Sequence, residues 1–219
     1  MRYGMALILL LSLVSLCHCT PDRYGAKNVA ERRDAVEFRK AAEEGDAIAQ
    51  FRLGICYAKG TGLSKDESQA FFWIRKSAEQ GYELAQFNLG ISYSEGIGVS
   101  KDLTQAISWF RKAAEQGNTD AQGSLGLAYW DGEVVPKDVA QARDWFYRAA
   151  KQGDAFAMCM LGVMVKEGID VPKDLVTAYQ WFDLAAQHGW DSGELRDELA
   201  KEMTSDQIAE AQAAPSPIR

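Results

Sequence analysis

The chain has 219 residues, 47% of them hydrophobic and 25% charged, and a formal net charge of −7. An acidic surface repels phosphate, which turns the reading away from nucleic acid and towards a basic protein or peptide partner. Two histidines and four cysteines in the whole chain leave little material for a metal site or thiol chemistry.

The chain opens Met1-Arg2 and runs apolar from Met5 to Leu16. That stretch is too short to span a bilayer, and its flanks fit an export signal over residues 1–19, cut before Thr20 after the small Cys17 and Cys19. Lipidation of Cys17 or Cys19 is disfavoured because Leu16 and His18 precede them, where a small residue is required. Loss of Arg2 with this segment moves the charge from −7 to −8. Residues 20–34 are polar and aperiodic and read as a flexible leader. Residues 35–44 match the second half of the repeat that follows. Phe38 stands where Ile74 does, Ala41-Ala42 where Ser77-Ala78 do, and Glu37 where tryptophan belongs. This segment is expected to be an N-terminal helical cap with a polar outer face.

A unit of 36 residues then recurs without insertion over 45–80, 81–116, 117–152 and 153–188. A period of this size implies stacked modules, none able to bury its apolar face alone. Counting Gly45 as place 1, place 5 is Ala49, Ala85, Ala121 and Ala157, and place 9 is Leu53, Leu89, Leu125 and Leu161. Place 13 is Tyr57, Tyr93, Tyr129 and then Val165. Residues four apart share one face, so this stripe predicts a helix turned to the core. Gly54, Gly90, Gly126 and Gly162 interrupt it at a cost of about 1 kcal/mol each, which implies close approach of a neighbouring helix. Gly60, Gly96, Gly132 and Gly168 end that helix. After a short turn, Asp66, Asp102, Asp138 and Asp174 cap a second one. Val134 and Asp170 replace the turn glycines Gly62 and Gly98, so those turns are expected to differ locally.

The second helix carries Ala70, Ala106, Ala142 and Ala178, then Trp73, Trp109, Trp145 and Trp181, each followed by an apolar Ile74, Phe110, Phe146 or Phe182. Small pairs such as Ala113-Ala114 close it. These spacings form one buried face, and the tryptophans read as core rather than as a ligand platform.

The pattern Gly-x-x-x-Ala-Gln-x-x-Leu-Gly-x-x-Tyr, then Lys-Asp, then Ala-x-x-Trp-Phe and Ala-Ala-x-x-Gly, resembles the Sel-1-like repeat, a relative of the tetratricopeptide repeat. The resemblance implies an all-α fold: a right-handed α/α solenoid of four helix–turn–helix repeats in a domain over 35–213, with caps over 35–44 and 189–213. Within the second cap, Leu195, Leu199 and Met203 predict a helix, and Thr204 with Gln207 predicts a capping box before another that turns Ile208 and Ala211 inward. Residues 214–219, with Pro215 and Pro217, read as a disordered tail.

No catalytic constellation emerges, and neither a metal nor a cofactor is expected. His188 replaces Gln80, Gln116 and Gln152 at a helix end, a structural place. Cys56 and Cys159 stand three repeats apart, about 25–30 Å for helices packed at their usual spacing, so no bridge between them is expected. The remaining candidate is the groove that the resemblance to tetratricopeptide folds implies, lined by places 4, 7, 8, 11 and 15 of each first helix. These are Ile48, Phe51, Arg52, Ile55 and Lys59, then Leu84, Phe87, Asn88, Ile91 and Glu95. The third repeat has Asp120, Gly123, Ser124, Leu127 and Asp131 with Trp130 alongside, and the fourth Phe156, Cys159, Met160, Val163 and Glu167. Phe51, Phe87 and Trp130 are expected as anchors, and Gly123 is expected to open a pocket beside Trp130.

The functional expectation is a monomeric, non-catalytic, periplasmic or secreted module that binds a protein or peptide partner. The family resemblance implies roles as immunity protein or inhibitor of a secreted toxin or lipase, or as signalling adaptor. The alternatives are a structural envelope scaffold, membrane-associated if lipidated, and a cell-wall or β-lactam-acting enzyme.

Overall fold

A computed structural model describes residues 26–218, with side chains from 33 onward. Among these residues there are eleven helices and no strand. They are α1 (Ala26–Glu43), α2 (Ala47–Lys59), α3 (Glu67–Glu79), α4 (Glu83–Glu95), α5 (Leu103–Glu115), α6 (Thr119–Asp131), α7 (Val139–Lys151), α8 (Ala155–Glu167), α9 (Leu175–Gln187), α10 (Gly193–Glu202) and α11 (Ser205–Ala213). The chain divides into two compact units, the first ending at Asn118 and the second beginning at Thr119. The first holds α1–α5 and the second α6–α11.

Each repeat is a helical hairpin closed by the same contact. The stripe Ala85, Leu89 and its equivalents is buried, with Leu53, Leu89 and Leu125 fully enclosed. The mid-helix glycines bring the hairpin together. A Cβ at Gly90 would lie 2.5 Å from the Phe110 ring, one at Gly126 2.5 Å from Phe146, and one at Gly54 2.6 Å from Ile74. The residue after each tryptophan is therefore the one that fills the hairpin. The tryptophans take a lesser share: Trp181 is buried, but Trp73, Trp109 and Trp145 are half-buried, each with a cation over its ring.

The helix ends follow local chemistry. Gly60, Gly96 and Gly168 adopt left-handed φ of 69°, 77° and 70° to stop α2, α4 and α8. Asp66, Asp102 and Asp138 each accept the backbone N–H three residues on at 3.0 Å, capping α3, α5 and α7. In the turns, Asp170 keeps the left-handed conformation of Gly62 and Gly98, at φ 59°, whereas Val134 does not.

Two sequence expectations are corrected. Residues 26–34 are the first turns of α1 rather than part of a flexible leader. Their composition, Ala26, Lys27, Ala30, Glu31, Arg32 and Arg33, suits a helix as well as it suits a coil. The export signal and residues 20–25 lie outside the described residues. The tail is also ordered over 214–218: Gln180 donates to the carbonyls of Ala211 and Pro215 at 3.2 and 3.3 Å, and Ile218 packs on the core of the second unit. The prolines stop the helix but lay the chain along α9. The capping box of Thr204 and Gln207 is present at α11, and Leu199 and Ala211 are buried.

Candidate functional site

The first helices carry, outside their core stripe, the side chains that stacking leaves over. In the first unit Ile48 and Leu84, both at place 4, are 47% and 42% exposed. Ile55, Asn88 and Ile91 are half-buried beside them, and Arg52, Lys59 and Glu95 are exposed. Arg52 lies over the Phe38 ring of α1, 5.4 Å from its centroid. Asn88 turns back to donate to the Leu84 carbonyl at 2.8 Å.

Place 7 behaves differently from the expectation. Phe87 is buried at 8% exposure with its ring 5.6 Å from Phe110, so it is core and no surface anchor. Phe51 is half-buried, edge-on to Tyr82 at 5.3 Å. An aromatic at this place braces the start of the next hairpin, and so it cannot also reach outward.

In the second unit Ser124, Leu127, Trp130 and Asp131 on α6, with Phe156, Met160 and Val163 on α8, are half-buried, and Asp120 and Glu167 are exposed. Phe156 is held between Phe146 and Trp190, at 6.2 and 5.2 Å. Lys137 sits 5.6 Å from the Trp130 ring. The space at Gly123 borders Asp154 instead of Trp130: a Cβ there would meet Asp154 Oδ2 at 3.9 Å and no closer atom. Trp130 stands seven residues further on, about 10 Å along the helix.

The charges of the two faces differ. Arg52 and Lys59 accompany Glu95 in the first unit, whereas Asp120, Asp131, Asp154 and Glu167 dominate the second. Burial raises the Asp120 carboxyl above its usual range although one side of the residue stays open to solvent. Burial also raises Asp154, aided by the negative charge of Asp120 and opposed by the N–H groups of Ala157 and Phe156. Asp131 is raised by burial and by Glu133, against the pull of Lys137.

Cys159 is not poised as a nucleophile. Burial pushes the Cys159 thiol up to about 11, a hydrogen bond with Trp190 offsetting part of it, so the thiolate is absent at neutral pH. Cys56 is likewise buried, and both cysteines are free of disulfides. His188 caps the end of α9. Among the described residues no group of three or more His, Cys, Asp or Glu is placed to hold a metal ion, and no helix is long and apolar enough to cross a membrane.

Sequence reasoning passed over one repeated polar device. Gln50, Gln86 and Gln122 are buried at place 6, and their Oε1 atoms accept from Gln80, Gln116 and Gln152 at 2.7, 2.7 and 2.9 Å. Gln50 and Gln86 also donate to the carbonyls of Ala42 and Ala78, at the end of the preceding helix. In the fourth repeat both partners change together, to Met158 and His188. That joint change was the available signal for a contact 30 residues apart.

The match to the Sel1 repeat model covers 47–82, 84–118, 119–154 and 155–190, one stretch for each hairpin. The chain belongs to the Sel1 repeat family. Sel1 repeats serve in general as non-catalytic protein-interaction scaffolds. The solved Sel1 repeat protein from Oxalobacter formigenes is 33% identical, with a TM-score of 0.67 over 76% of this chain and 74% of its own. The protective antigen c5321 of uropathogenic Escherichia coli, which displays the same repeat fold, is 27% identical over 83% of this chain and 55% of its own, with a TM-score of 0.41. The immunity protein Pa5087 of Pseudomonas aeruginosa is 19% identical over 99% of this chain and 77% of its own, with a TM-score of 0.48. The last two likenesses are too distant to inform function. No curated protein matches the chain significantly.

Proposed function

We propose that this Sel1 repeat protein acts without catalysis, as an exported module that binds a protein partner on the outward side of its first helices. The observation that carries the reading is the pair Ile48 and Leu84. These aliphatic side chains recur at one place of successive hairpins and stay 47% and 42% exposed, so stacking does not account for them. Contact with an apolar partner surface would bury them, at about 25 cal/mol for each Å² removed from water.

A photo-reactive residue installed at position 48 or 84 tests this directly. Covalent adducts with one defined protein at both positions, and none at position 72 on α3, are expected. Adducts at position 72 alone would overturn the assignment of the face. The captured partner then separates the roles: a secreted lipase or other hydrolase marks an inhibitor or immunity protein, and a sensor kinase marks a signalling adaptor.

Export rests on the apolar stretch from Met5 to Leu16. The intact mass of protein recovered from its native compartment is expected to correspond to an unmodified chain beginning at Thr20. A lipid mass on Cys17 or Cys19 would contradict this and favour a membrane-tethered envelope component.

A further inference from the structure

We propose that the outward face of α2 and α4 seats an amphipathic helix of the partner, one that carries apolar side chains seven residues apart and a carboxylate between them. The inference rests on the first helices being the partner surface and specifies what that surface takes.

The face is built in layers. Ile48, Arg52 and Ile55 lie four and then three residues apart on α2, so they share one side of the helix. Leu84, Asn88 and Ile91 repeat that spacing on α4. The two helices adjoin. The Phe51 ring stands 5.3 Å from Tyr82, the N-cap of α4, and Ile55 packs on the core cluster that holds Ala85 and Leu89. An apolar layer of Ile48 and Leu84 is thus followed by a polar layer of Arg52 and Asn88, then by a second apolar layer of Ile55 and Ile91. Seven residues at the helical rise set the apolar layers about 10 Å apart.

That spacing selects the conformation of the occupant. A helix returns nearly the same side every seven residues, and so meets both apolar layers with residues i and i+7. A strand covers about 10 Å in three residues, whose side chains point to opposite faces. A polyproline segment also covers about that length in three, but turns the side chains between about 120° away. The helix alone places a further side chain, at i+3 or i+4, over the polar layer as well.

The charge of that layer fixes the side chain. Arg52 is exposed, lies over the Phe38 ring at 5.4 Å, and forms no ion pair among the described residues. Asn88 is neutral and donates within its own helix. One layer further, Lys59 and Glu95 occupy the same place of their helices with opposite charges. The face therefore carries one uncompensated cation between two apolar layers. An aspartate or glutamate of the seated helix meets it with a charge-assisted hydrogen bond.

The test displays two peptide libraries on phage against the full chain. One holds alanine-rich helices randomised at i, i+3, i+4 and i+7, and the other proline-flanked extended peptides randomised at four neighbouring positions. Helical peptides with bulky apolar residues at i and i+7 and an acid at i+3 or i+4 are expected to be enriched. In fluorescence polarisation, I48D and R52Q should each weaken the selected peptides by about tenfold or more, the latter through loss of one hydrogen bond between charged groups. Replacing the peptide's acid by alanine should weaken binding to wild type by a similar factor but add little on R52Q. Replacing it by lysine should be rescued by R52E, and F72D should bind like wild type. Enrichment from the extended library alone, no preference for an acid, or binding to R52Q within twofold of wild type would overturn the proposal. Extended peptides that lost binding on I48D would leave the interaction face standing without a helical occupant. Failure of both libraries would also overturn the helical occupant, while cross-linking at positions 48 and 84 decides the face separately. Arg52 is exposed, so the test on R52Q does not hinge on folding.

Discussion

Gly126 and Gly123 lie three residues apart on α6 and should respond oppositely to alanine. A methyl group at Gly126 would lie 2.5 Å from the Phe146 ring, inside a hairpin with no slack. Overpacking of this kind costs about 1–3 kcal/mol. At Gly123 the same methyl group meets only Asp154 Oδ2, in ordinary contact at 3.9 Å, and alanine gains about 1 kcal/mol of helix propensity. Urea denaturation should therefore place Gly126→Ala below wild type and Gly123→Ala above it. Equal effects would mean that the hairpin is looser than described. Asp154 supplies a second test at this scale. Its folded-state carboxyl is raised by burial and by Asp120, so its charge works against folding above that range and the penalty fades as pH falls through it. Asparagine caps helices about as well as aspartate. Asp154→Asn should thus melt higher than wild type at pH 7 and match it in acid. A difference that grew in acid would reverse the assigned sign.

At the scale of the helix, caps fix the ends, and paired glutamines tie the two helices of one hairpin together. Asp102 accepts the Gln105 N–H at 3.0 Å, and Asp102→Ala should lower stability by about 1 kcal/mol. The pair of Gln86 and Gln116, bonded at 2.7 Å with Gln86 largely buried, should behave as a unit. In a double-mutant cycle, alanine at both should cost less than the two single losses combined, by about 0.5–3 kcal/mol of coupling energy. Strict additivity would show that the bond adds nothing to the hairpin. The helices were legible in the sequence because repetition tests every place four times: the stripe through Ala85 and Leu89, the stop at Gly96 and the cap at Asp102 all sit where periodicity and capping chemistry require. Segments outside the repeat lacked that check. Charged, aperiodic composition did not distinguish the first turns of α1 from coil, and two prolines did not reveal that the tail lies along α9. The candidate face was legible in part. Spacing placed Ile48 and Leu84 away from the core, but it could not show that Phe87, at an equally outward-reading place, turns in against Phe110.

At the scale of the molecule, repetition spends the interior of each unit on stacking and leaves the outer side chains free of that task. That division explains why both cysteines are buried, why Trp109 is capped by Lys112 at 3.8 Å, and why exposed apolar area collects at a few places. Phe72, 45% exposed on α3 with Lys76 4.8 Å above its ring, offers a competing surface and so provides the control. The most direct measurement is the affinity of the photo-captured partner for wild type, Ile48→Asp with Leu84→Asp, and Phe72→Asp, by isothermal titration calorimetry with folding checked by circular dichroism. The account predicts loss of binding by more than about 100-fold for the paired first-helix variant, as for truncated interface hot spots, and wild-type affinity for Phe72→Asp. Wild-type affinity for the paired variant, with binding lost in Phe72→Asp, would contradict it.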